Sequence, residues 1–96
     1  MIKLIIENID GYNYTLKDND NNIYNINIEF YDIDELPKVG DIIYINNKLL
    51  NKINNNIVSF GKLDGIYGRK ITDENDEDII GVSIKDKVIY LKRYYG

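Results

Sequence analysis

Residues 14–63, YTLKDNDNNIYNINIEFYDIDELPKVGDIIYINNKLLNKINNNIVSFGKL, carry the clearest pattern in the chain. They read as strand, polar turn, strand, short link, a Val-Gly-Asp step, strand, Asn-rich loop, strand. Over Ile23 to Tyr31 the residues Tyr24, Ile26, Ile28 and Phe30 alternate with Asn25, Asn27 and Glu29. Period-two alternation with one polar side marks an antiparallel strand with one face in water. Tyr12, Tyr14 and Leu16 alternate with Asn13, Thr15 and Lys17 in the same way, which predicts a strand over 12–18 with Tyr12 and Tyr14 turned to the core. Asn21-Asn22 stands in the turn between them, where Asn is the next best residue after Gly for a positive φ.

Moving outward, residues 2–9 predict a first strand, joined to the next by a two-residue turn at Asp10-Gly11. Asp32 to Val39 is a link too short and too limited by Pro37 for more than one helical turn. Gly40 permits a sharp step into a strand over 41–47, which Leu49 and Leu50 extend. Residues 51–56 read as a loop, and 57–60 as a fifth strand. A loop punctuated by Gly61, Gly65 and Gly68 follows, then a final hairpin, 79–84 and 88–94, around Lys85-Asp86-Lys87. The expected core is Leu4, Ile6, Leu16, Ile26, Ile28, Ile43, Ile45, Val58 and Phe60.

Composition narrows the chemistry. The 96 residues suit one domain and a modest core. The chain has no Cys and no His, which removes thiolate nucleophiles, imidazole bases and the common zinc geometries. Ser59 and Ser83 have no partner base, and Gly65 to Lys70 lacks the spacing of a phosphate loop. No enzyme activity and no cofactor are expected. No stretch approaches the roughly 18 apolar residues of a membrane span, and the opening residues lack the form of a signal peptide, so a cytoplasmic location without membrane contact is expected.

The net charge of −4 argues against strong non-specific nucleic-acid binding. Its distribution is uneven. Between 48 and 70 lie Lys48, Lys52, Lys62, Arg69 and Lys70 against the single acid Asp64, whereas 73–78 holds five acids in six residues. Asp18, Asp20, Asn22 and Glu29 match four positions of an EF-hand calcium loop. Ile23 stands where that loop needs Gly, and the flanks are strands, so a solvated turn is the better reading. The acidic run 73–78 likewise reads as a hydrated loop rather than a cation site.

Leu16 to Asp20, Ile23 to Phe30, Val39-Gly40-Asp41 and Ile42 to Phe60 together resemble the OB-fold family, in its anticodon-binding or single-strand-binding form, over residues 2–63. The resemblance implies an all-β fold: a small five-stranded OB-like barrel over 2–63, with 64–96 as a loop plus a C-terminal β-hairpin extension. SH3-like barrels share the hairpin order and are the alternative. The family binds ligands on the second and third strands and in loops after the first and fourth. That points to Asn13, Thr15, Lys17, Asn25, Asn27 and Tyr31, with Asp10-Gly11 and 51–56. The basic stretch adds Lys48, Lys52, Lys62, Arg69 and Lys70, with Tyr67 for stacking. One aromatic on this face is poor equipment for bases. The expected function is therefore a non-catalytic module that binds a protein partner, or a second copy, through strand edges. Weak binding of single-stranded nucleic acid is the alternative.

Overall fold

The computed structural model describes residues 1–53, 56–62 and 78–94. Its strands are β1 (Ile2–Asp10), β2 (Asn13–Lys17), β3 (Ile23–Tyr31), β4 (Ile42–Ile45), β5 (Val58–Lys62), β6 (Ile79–Ile84) and β7 (Lys87–Arg93). Among the described residues a single helix, α1 (Asn47–Lys52), lies between β4 and β5. The strands form one mixed sheet that closes on itself in the order β1-β2-β3-β5-β7-β6-β4. All pairs are antiparallel except β3 with β5.

Two nine-residue strands make closure possible, because each passes from one neighbour to the next. β1 pairs with β4 over Ile2 to Ile5 and with β2 over Ile5 to Asp10, with a register irregularity between Ile6 and Asn8. β3 pairs with β2 over Ile23 to Asn27 and with β5 over Ile28 to Tyr31. Irregularities of this kind bend a strand and increase its twist, which closing a small sheet requires. Gly40, at φ +95°, makes the turn into β4, where its N–H donates to the Ile6 carbonyl at 2.9 Å.

The sheet thus has seven strands, not the expected five. The C-terminal hairpin is no extension. It stands inside the ring, with β7 on β5 and β6 on β4. Its Ile80, Val82, Ile84 and Leu91 share one core cluster with the nine residues expected there, all of which are buried.

Two local expectations need correction. The fourth strand stops at Ile45, and Leu49 and Leu50 do not extend it. Asn46 instead caps α1, its Oδ1 accepting from Lys48 N–H at 2.7 Å. Asn is a favoured N-cap because its side chain satisfies a free first-turn N–H. Leu49, Leu50 and Ile53 then enter the core. Tyr12 was expected inward, yet it is 50% exposed, because β2 begins only at Asn13.

Candidate functional site

In a closed sheet, residues of one parity fill the interior and the others face out. On β2 and β3 the outward set is the one expected from sequence. Asn13 lies opposite Asn27, Thr15 opposite Asn25 and Lys17 opposite Ile23. The Thr15 hydroxyl donates to Asn25 Oδ1 at 3.0 Å, and Lys17 Nζ lies 3.4 Å from Glu7 Oε1. Asn13, Thr15, Lys17, Asn25 and Asn27 form one polar surface, and its lysine is already paired.

The turn beyond it is organised by one carboxylate. Asp18 Oδ1 accepts from the main-chain N–H of Asp20 and Asn22, and Oδ2 accepts from the Asn22 amide and the Tyr24 hydroxyl. The Asn22 side-chain amide is the largest cause holding the Asp18 carboxyl below its ordinary value, and the two main-chain donors and Tyr24 add to it. The Tyr24 phenol is raised by the same bond. Asn21 takes the left-handed conformation at φ 65°, as the missing glycine required. Both Asp18 oxygens are engaged in holding this turn.

Tyr31 lies at the other end of β3, opposite Gly61 of β5. Its phenol is raised chiefly by a hydrogen bond to the Glu29 carboxylate. Ser59 Oγ, next along on β5, also reaches Glu29, at 3.5 Å. Tyr94, just past β7, is anchored by its N–H to the Ser59 carbonyl at 2.8 Å. Its ring centroid is 5.5 Å from that of Tyr31, with the planes tilted by 54°. Tyr31 is 39% and Tyr94 61% exposed. The two line an open cleft of about 390 Å³ with Asp32, Gly61, Lys92 and Arg93.

Tyr94 and Lys92 were missed from sequence. Both stand on the C-terminal hairpin, and only its insertion beside β5 brings them to Tyr31. The other described candidates lie on elements other than β2 and β3. Lys48 and Lys52 are exposed on α1, and Lys62 lies on β5 opposite Leu91. Tyr67, Arg69 and Lys70, and most of the acidic run, lie outside the described residues. Among the described residues no helix is long and apolar enough to cross a membrane. Comparison with family models, curated proteins and solved structures finds no match for this chain.

Proposed function

We propose that this chain is a non-catalytic binding module that takes a protein partner, built on an OB-like ring with an inserted hairpin. Leaving out β6 and β7, the cyclic order is β1-β2-β3-β5-β4, and that five-strand order supports the OB-like reading. The observation that carries the function is the exposed Tyr31–Tyr94 pair beside Arg93 in an open cleft. With Trp, Tyr and Arg are the residues most enriched where protein interfaces concentrate their binding energy. The acidic balance of the chain fits a protein ligand better than a polyanion.

A second reading, single-stranded nucleic acid, is favoured by Lys92 next to the two tyrosines, since bases stack on aromatics while cations take phosphates. One experiment ranks the two. The protein-binding reading predicts no oligonucleotide complex tighter than about 10 μM at physiological salt. It also predicts a protein ligand whose affinity drops more than tenfold in Tyr31→Ala/Tyr94→Ala. A tighter oligonucleotide complex whose log affinity falls with log salt, by about 0.7 per phosphate contact, puts the nucleic-acid reading first.

A further inference from the structure

The tyrosine cleft has a neighbour. A second open cleft, of about 430 Å³, lies between the link after β3 and the β6–β7 turn. Its apolar floor is Ile33, Ile84 and Ile89, which belong to the common core or pack against it. Asp32 lines both clefts. It stands at φ 55°, directly after β3, where the strand gives way to the link. β7 serves both as well: Lys87 and Ile89 border the second cleft, Lys92 and Arg93 the first. Lys87 to Arg93 is about 20 Å of extended strand.

The two ends differ in charge. At the tyrosine end Lys92 and Arg93 outnumber Asp32. Glu29, close by on β3, is engaged by the Tyr31 hydroxyl. At the other end Asp32, Asp34 and Glu35 outnumber Lys85 and Lys87. Glu35 is paired with Lys85 at 2.6 Å, which leaves Asp32 and Asp34 against Lys87. Lys92 and Asp34, one at each end, are both exposed.

We propose that the two clefts act as one groove for an extended segment of a partner protein. Its carboxylate side chain lies at Lys92 and Arg93, an aliphatic side chain on Ile33, Ile84 and Ile89, and a cationic side chain at Asp34. The argument for this occupant is charge and length. A ligand of one sign is attracted at one end and repelled at the other, whereas a segment with opposite charges suits both. A span of about 20 Å is covered by roughly six or seven extended residues. The isoleucine floor supplies the apolar burial that two exposed charge pairs, weak by themselves, do not. The inference deepens the protein-binding reading and rests on it only in taking the partner to be protein.

Fluorescence anisotropy with labelled heptapeptides tests it. The probes are Glu-Pro-Pro-Leu-Pro-Pro-Arg, its reverse, and the same peptide with Glu at both ends or Arg at both ends. Proline keeps each extended at about 3.1 Å per residue, close to the span of the groove. One of the two mixed peptides is expected to bind about fivefold or more tighter than both uniform ones, and to lose about tenfold when its Leu becomes Gly. Asp34→Lys is expected to move the preference to the peptide with Glu at both ends, and Lys92→Glu to the one with Arg at both ends, with unchanged far-ultraviolet spectra. No binding tighter than about 1 mM, no preference for a mixed peptide, or a preference indifferent to both reversals overturns the proposal. A protein ligand lost in Tyr31→Ala/Tyr94→Ala but indifferent to Asp34→Lys and Lys92→Glu overturns the groove and leaves the protein-binding reading standing. A peptide preference that persists in Tyr31→Ala/Tyr94→Ala supports the groove and overturns the role given to the tyrosines.

Discussion

The β2–β3 hairpin and the β6–β7 hairpin are both walls of the same ring, yet they are built differently. β2 and β3 alternate between buried and water-facing residues, and their turn is held by the Asp18 carboxylate. In β6 every residue but Ser83 is buried, and its tight turn, Lys85-Asp86, has positive φ at both positions. That is the backbone a two-residue hairpin loop requires, here without Asn or Gly. An element can therefore be integral to a core without showing an amphipathic pattern.

The sharpest way to break this comparison is to truncate the core side of the second hairpin. Leu91→Ala is expected to cost about 2–5 kcal/mol, as for a fully buried leucine. Val88→Ala, on the same strand but half-exposed, is expected to stay within about 0.5 kcal/mol. Denaturant titration of both variants checks this. If Leu91→Ala matched Val88→Ala, the hairpin would be an appendage after all.

A smaller effect is expected at the glycines. A Cβ on Gly81 would lie 3.3 Å from Tyr90 Cε1 and 3.4 Å from Tyr44 Cβ, so Gly81→Ala is expected to destabilise by about 1 kcal/mol through overpacking. At Gly61 the nearest atom, Tyr31 Cβ, is an ordinary 3.5 Å away. Gly61→Ala is expected to be neutral or slightly stabilising, because alanine restricts the unfolded chain. Thermal melts of the pair compare a sealed position in the second hairpin with an open one at the cleft.

The first hairpin should show its own mark in acid. Asp18 has a depressed carboxyl in the folded chain, so its stabilising contribution is present above the unfolded value of 3.8 and is lost as pH falls through the lower folded value. Asp18→Asn is expected to lower stability at neutral pH and to flatten the decline below pH 3.8. Parallel pH titrations of the melting temperature, with an unchanged acid slope as the contrary result, decide it. The smallest effect belongs to Lys85, whose Nζ lies 2.6 Å from Glu35 Oε1 and ties the second turn to the link after β3. Both groups are exposed, so Lys85→Ala is expected to shift the melting temperature least of all, and high salt is expected to shrink the shift further.

The alternation in residues 23–31 was enough to place β3 to the residue, because one of its faces meets water and the polar side chains record that. The same signal identified Asn13, Thr15, Lys17, Asn25 and Asn27 as one outward surface. Asn46 as a helix cap was missed because the apolar run before it reads as a strand that continues through Asn47. Tyr12 fell on the wrong side because a turn displaced by one residue takes it out of the strand.

What the residues determined by themselves was local: which segments are extended, which of their faces is apolar, and that the turn at Asn21-Asn22 needs a positive φ. These depend on neighbours two to four positions away in the chain, and hydrophobic pattern and turn chemistry express them directly. Which strand lies beside which was decided only by the tertiary structure. β6 and β7 entered the ring between β4 and β5 because Ile80, Val82, Ile84 and Leu91 are buried in the common core there, a gain no short window of sequence displays. The Tyr31–Tyr94 cleft follows from that placement, since it is made by residues far apart in the chain.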